Sequence, residues 1–243
     1  MRDITAAWLT LALVFAAAPA VAAACGPGAL GTSRVLTLPR EGAAYGRAQH
    51  AALPLEPGEV VLTFDDGPRP ESTPIVLQAL ARQCVLATFF MNGEPLLRSP
   101  ELARRVRDEG HTVGMHGFRH DHFAGLAEAE QLSDLRAMQE AHLEVFGSPA
   151  PAYRFPFLEE TPALLGALSE QRITVMSVDL GVEDWVPGQS PEVLADRLLQ
   201  RLKASGGGIV LLHDVQDQTA AALPLMLQAL QAGGYRIVQL QWR

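Results

Sequence analysis

Two histidines four residues apart, His116 and His120 in HGFRH, and two adjacent acids, Asp65 and Asp66 in TFDDGP, are residue types that can hold a metal ion. Imidazoles at i and i+4 fall on one side of a helical turn and suit chelation of a single cation. A carboxylate then completes a two-histidine, one-carboxylate face. The spacing alone also describes a pair of solvated histidines. Asp66 strengthens the metal reading, because Asp65-Asp66-Gly67-Pro68 sets two acids on a turn directly after the apolar run 60–64. Adjacent residues leave a strand on opposite faces, so one acid can ligate a cation while its neighbour does separate work. An ordinary Asp-Gly turn is the competing description. The chemistry such a set supports is hydrolysis, since a bound divalent ion polarises a carbonyl and lowers the pKa of water.

Strands and helices must bring these groups together. From residue 60 onward, β-rich runs at 60–64, 86–91, 112–115, 152–155, 173–178, 208–212 and 236–240 alternate with amphipathic helical patterns. Ser99-Pro100-Glu101 and Ser190-Pro191-Glu192 each supply a cap residue followed by proline at the first helical position, and Gly110 and Gly147 stand where helices should stop. Residues 126–146 read as an amphipathic outer helix. Alternating strands and helices imply an α/β fold with a parallel sheet, open or closed into a barrel. Asp65-Asp66, His116 and His120, Asp184-Trp185 and His213 each follow a different run and Arg154 ends another, so all lie at C-terminal strand ends, the rim where α/β barrels build their sites.

The 243 residues carry 19 Lys+Arg against 27 Asp+Glu, a net charge of −8 that argues against nucleic-acid or anionic-membrane partners. Residues 1–24, MRDITAAWLTLALVFAAAPAVAAA, have a short Arg2-bearing start, an apolar stretch and a run of small residues. They read as an export signal, with a membrane anchor as the rival. Export to the periplasm or outside the cell follows, leaving no stable span after cleavage. Lipid attachment at Cys25 is disfavoured by the three alanines before it. Residues 25–57 read as a Gly- and Pro-rich N-terminal extension and 58–243 as one catalytic domain. Nothing in the chain assigns an oligomeric state.

The order TFDDGP at 63–68, H-x-x-x-H at 116–120, Arg154-Phe155-Pro156-Phe157, Asp184-Trp185 and Leu211-Leu212-His213 resembles the five motifs of the NodB-homology polysaccharide deacetylases, carbohydrate esterase family 4, across roughly residues 58–240. The resemblance implies a distorted (β/α) barrel of about seven parallel strands, related to the TIM barrel. It also implies an exported, metal-dependent enzyme that removes N-acetyl groups from a glycan such as chitooligosaccharide or peptidoglycan. Asp65 would be the base, and Asp66, His116 and His120 the ligands of a divalent metal, Zn2+ or alternatively Co2+. Arg154 would hold Asp65, and His213 would be the general acid paired with Asp184. Leu211 and Trp185 would line the pocket for the acetyl methyl, and a backbone N–H near Phe157 would face the oxyanion.

Three departures bear on the transfer. Gly117 stands where the family usually has Ser or Thr supporting the metal site. Phe157-Leu158 replaces Tyr-Gly in the third motif. Four residues rather than two separate Asp179 from Asp184, so Asp179 or Glu183 could take the part of Asp184. The rival functions are a glycan-binding module that lost efficient catalysis and an amidase acting on a non-carbohydrate C–N bond. O-acetyl removal stays open, because it uses the same tetrahedral chemistry. His122 is read as solvated or supporting, and His50, His111 and His142 as belonging to no constellation.

Cys25 and Cys84 are the only cysteines, and an isolated even pair in an exported chain is a disulfide candidate. The exported protein should therefore carry a Cys25–Cys84 bridge. Titrating two free thiols under denaturing, non-reducing conditions would refute it.

Overall fold

The computed structural model describes residues 28–243; the expected signal segment 1–24 and Cys25 lie outside the described residues. In chain order the elements are β1 (Thr32–Leu38), β2 (Ala44–Tyr45), β3 (Glu59–Asp65), α1 (Thr73–Arg82), β4 (Thr88–Met91), α2 (Gly93–Arg98), α3 (Pro100–Asp108), β5 (Thr112–Met115) and α4 (Glu128–Phe146). Then come β6 (Ala152–Tyr153), α5 (Pro162–Glu170), β7 (Thr174–Met176), β8 (Leu180–Gly181), α6 (Pro191–Ser205), β9 (Gly208–His213), α7 (Asp217–Ala232) and β10 (Arg236–Trp242). The helix signals are realised unevenly. Ser190 caps α6, its hydroxyl accepting from the Val193 N–H at 3.4 Å, whereas Ser99 stands before α3 without a capping bond. Gly147 ends α4 in the left-handed conformation at φ 71°.

The expected parallel α/β architecture is present, and all strand pairings are parallel. The ten strands form one sheet in the order β1-β10-β3-β4-β5-β6-β7-β2, with β9 along the other edge of β3 and β8 beyond it. Seven strands, β8-β9-β3-β4-β5-β6-β7, follow one another as the walls of a barrel would, but the sheet is not closed. The edge of β7 that would meet β8 is taken by β2, which pairs Ala44 with Val175 and Tyr45 with Met176.

The seven expected runs became β3, β4, β5, β6, β7, β9 and β10; β1, β2 and β8 are additional. Both β1 and β2 come from the stretch read as an extension, which thus supplies two strands of the sheet. β1 alternates half-buried and exposed residues until Leu38, the pattern of a strand covered on one side only. Arg34 on β1 reaches across β10 to β3, where its Nε and Nη2 donate to the Glu59 carboxylate at 2.7 and 2.6 Å.

β3 shows how the core positions the site. Every residue of EVVLTFD is buried. Val60, Leu62 and Phe64 face the helix layer, where Phe64 stacks on Phe89 at 5.0 Å. Val61 faces a smaller interior cluster with Phe90, Met176 and Ile209. By strand alternation Thr63 and Asp65 lie on that interior side, so the last residue of the strand presents a carboxylate inward at the sheet's C-terminal rim.

Arg34→Leu should strip the buried Glu59 carboxylate of its two strongest donors and destabilise the fold by about 1–3 kcal/mol. Urea unfolding checks this, and an unmoved midpoint would show that β1 is only appended to the sheet.

Candidate active site

Strand register gathers the expected groups. Asp65 on β3 and His213 on β9 are direct register partners at the ends of neighbouring strands. Met115, paired with Tyr153 on β6, leads into His116, and Tyr153 leads into Arg154. Parallel strands of similar register therefore deliver four of the five motifs to one rim, and β8 brings the fourth motif beside β9.

Arg154 is completely buried, with 0% of its surface exposed. Its Nη1 donates to Asp65 Oδ1 at 2.8 Å and to Thr63 Oγ1 at 2.7 Å, its Nε to the Met176 carbonyl at 3.0 Å, and its Nη2 to the Ser177 carbonyl at 3.1 Å. The guanidinium also stands 4.3 Å over the Phe90 ring. Burial lowers the Arg154 pKa and the Asp65 charge opposes that fall, leaving a cation that secures one oxygen of Asp65. The second oxygen, Oδ2, lies 3.7 Å from His116 Nε2.

Asp66 adopts the left-handed conformation at φ 76°, which Asp tolerates better than most residues. The expectation that the two acids diverge onto opposite faces is corrected by this kink. It swings Asp66 back, so that Oδ1 sits 3.5 Å from His116 Nε2 and 3.2 Å from His120 Nε2. That oxygen is buried and has no hydrogen-bond partner. His116 Nδ1 faces the Arg154 carbonyl at 2.9 Å and donates to it, which leaves the Nε2 lone pair toward Asp66. Burial pushes the His116 pKa down against the pull of Asp65 and Asp66, favouring the neutral ring. One ligand atom from each of Asp66, His116 and His120 lies within 4.8 Å of the others. An orphaned carboxylate oxygen facing two imidazole lone pairs fits a divalent cation.

The connection between the histidines is not the expected helical turn. Gly117 at φ 80° and His120 at φ 60° kink it into a left-handed loop, and the rings still converge with centroids 5.1 Å apart. Asn92 Nδ2 donates to the His116 carbonyl at 2.6 Å.

Asp184, of the three acids left open for the fourth motif, is the one at His213. Its Oδ1 accepts from His213 Nδ1 at 2.9 Å and its Oδ2 from the His213 backbone N–H at 2.7 Å and from Thr219 Oγ1 at 2.6 Å. Glu183 instead pairs with Arg201 at 2.5 Å, and Asp179 accepts from the backbone N–H groups of Arg47 and Ile209 at 2.6 and 2.9 Å. Burial pulls the His213 pKa down. The hydrogen bond and charge of Asp184, with the charges of Asp65 and Asp66, outweigh it and raise the value to about 9.

Trp185 is 47% exposed and turns its ring edge-on to His213 at 5.5 Å. A Cβ on Gly181 would meet Leu211 Cβ at 3.6 Å and the Trp185 ring at 3.7 Å. Gly181, Leu211 and Trp185 thus lie side by side, with Trp185 against the imidazole. Opposite, Phe157 is half-exposed, left-handed at φ 54°, stacked on His122 at 3.7 Å and edge-on to His120 at 4.4 Å. His122 is paired with Glu159 at 2.8 Å, a supporting place at the rim. His111 and His142 are buried away from this cluster.

Three residues of the site were not singled out from sequence: Asn92, Gly181 and Asp214. Asp214 directly follows His213 and is fully buried, accepting from Thr73 Oγ1 through Oδ2 while Oδ1 has no partner. Burial pushes its pKa up to about 7. Its carboxyl packs against Gly67, where an added Cβ would lie 2.3 Å from Oδ2, so glycine is the residue that fits there. An acid beside a motif histidine was the available signal.

A profile described as polysaccharide deacetylase matches residues 53–176. The chain belongs to the polysaccharide deacetylase family. It is 33% identical over 195 residues to a chitin deacetylase of Colletotrichum lindemuthianum, covering 75% of this chain and 78% of the fungal one. A peptidoglycan-N-acetylglucosamine deacetylase of Listeria monocytogenes is 32% identical over 184 residues, covering 74% of this chain and 37% of that longer protein. Among solved structures, a peptidoglycan deacetylase of Bdellovibrio bacteriovorus superposes with a TM-score of 0.79 at 29% identity, over 89% of this chain and 61% of that one. Family membership makes this chain a carbohydrate deacetylase, a hydrolase of C–N bonds. Among the described residues no helix is long and apolar enough to cross a membrane.

A histidine whose folded pKa exceeds its unfolded value of roughly 6.5 contributes stability below that pH and loses it as pH rises through the folded value. In metal-free protein His213 should titrate near 9 by NMR. Asp184→Asn should bring that midpoint down by about one unit or more. An unchanged midpoint would mean Asp184 does not govern the imidazole.

Proposed function

We propose that this deacetylase is metal-dependent and removes N-acetyl groups from an amino-sugar glycan of the chitooligosaccharide or peptidoglycan type. The observation that carries the reading is the orphaned Asp66 Oδ1 between two imidazole Nε2 atoms, with the free oxygen of Asp65 beside them. Asp66, His116 and His120 would hold the divalent ion, Zn2+ by the mixed nitrogen and oxygen donor set, with Co2+ an alternative. When bound, such an ion supplies Lewis acidity toward an amide carbonyl and a nearby water.

The chain's own groups divide the proton transfers. Asp65, held through Oδ1 by Arg154, takes a proton from the attacking water at Oδ2 as the water oxygen bonds to the acetyl carbon. His213, charged and oriented by Asp184, delivers its Nε2 proton to the nitrogen as the C–N bond breaks. Acetate and a free amine result. Leu211, Trp185 and Gly181 would admit a methyl group and little more. The Phe157 backbone N–H would face the developing oxyanion, and the Phe157 ring the sugar. The signal-like segment 1–24 supports export, where such glycans lie, and supports the Cys25–Cys84 bridge.

Purified protein supplied with zinc should release acetate from chitooligosaccharides or peptidoglycan and stop doing so with a chelator. Asp65→Asn should keep its zinc and lose roughly 100-fold or more in turnover, whereas Asp66→Ala should lose zinc and activity together. Glycan binding without metal-dependent acetate release would instead identify a binding module.

A further inference from the structure

The loop between His116 and His120 has no regular structure of its own, yet its two imidazoles converge on one carboxylate oxygen. Its peptides are held from two sides. On the carbonyl side, Asn92 Nδ2 donates to His116, the Gly93 N–H to Gly117 at 3.0 Å and the Glu94 N–H to Phe118 at 3.0 Å. On the N–H side one side chain does the holding. Asp134, from the second turn of α4, accepts the Phe118 N–H on Oδ1 at 2.8 Å and the Arg119 N–H on Oδ2 at 3.2 Å. Two consecutive backbone N–H groups pointing at one carboxylate form an anion-binding nest, filled here by the protein's own acid.

Position 117 cannot provide that brace itself. Gly117 is at φ 80°, and a Cβ there would come within 3.1 Å of Pro156 Cγ and 3.5 Å of Asp134 Oδ1. The loop is therefore shaped around a missing side chain, and the support comes from α4.

We propose that Asp134 is a positioning residue for the divalent cation, setting the reach between His116 and His120 through the Phe118 and Arg119 N–H groups. This rests on the reading that Asp66, His116 and His120 hold the ion. Removing the brace frees two peptides between the ligands, and supporting contacts of this kind are worth about 10–100-fold in metal affinity.

The test is zinc competition against a chromophoric chelator on the folded full chain, with the visible spectrum of the cobalt-loaded form as a second readout. Asp134→Ala should weaken zinc by roughly 10-fold or more and alter the cobalt bands, with the circular dichroism spectrum of the metal-free protein preserved. Asp134→Asn keeps the shape but turns one acceptor into a donor facing an N–H, so its affinity should fall between the two. It also serves as the deciding variant if the alanine form does not fold. The neighbouring Ser133→Ala should match the parent. Parental zinc affinity and cobalt spectrum in folded Asp134→Ala or Asp134→Asn would overturn the proposal while the metal site stands. If the parent itself bound no zinc, the underlying reading would fail.

Discussion

A guanidinium with no exposed surface, fixed at the inner face of the sheet, is the constraint around which the rest of this molecule is arranged. Taking a cation out of water costs several kcal/mol even after relaxation, and Arg154 recovers that cost only because four acceptors and an aromatic face surround it. Those partners come from β3, from β7 and the residue after it, and from β4, so the cation ties the two sides of the open sheet together. Only one of the partners is ionised. Asp65 is consequently bound through one oxygen and presents the other toward His116, so a single contact both anchors the strand end and orients a carboxylate.

Backbone strain is concentrated around the same cleft. Among the described residues, left-handed non-glycine positions include Asp66, His120, Phe157, Leu158 and Glu183, all in loops that follow strands at the C-terminal rim. Each such residue costs energy that the surrounding packing must offset. Each also turns a side chain to where straight continuation of the strand would not take it. Asp66 is the plainest case: the kink converts two neighbours that should diverge into two carboxylates facing one imidazole.

The charges are graded by what surrounds them. Burial drives His116 toward the neutral form that can ligate, and Asp184 drives His213 toward the charged form that can give up a proton. Both rings use Nδ1 for a fixed partner and turn Nε2 to the cleft. The carbonyl behind one ring and the carboxylate behind the other set the opposite charge preferences of the two imidazoles.

Much of this was legible in the chain itself. Apolar runs ending in Asp65-Asp66, His116, Arg154 and His213 determine a parallel α/β rim carrying a hydrolytic set, because strand and helix periods and chemically scarce residues are local properties. Tertiary structure alone decided the rest. β1 and β8 form because a neighbouring strand offers a ladder, whatever their own weak patterns, and β2 leaves the sheet open by occupying the β7 edge. Asp184 prevails over Glu183 and Asp179 because those two acids already have partners of their own. Gly67 and Gly117 could not be understood before Asp214, Pro156 and Asp134 were seen beside them. Close approach between residues distant along the chain depends on packing, and no local pattern of residue types records it.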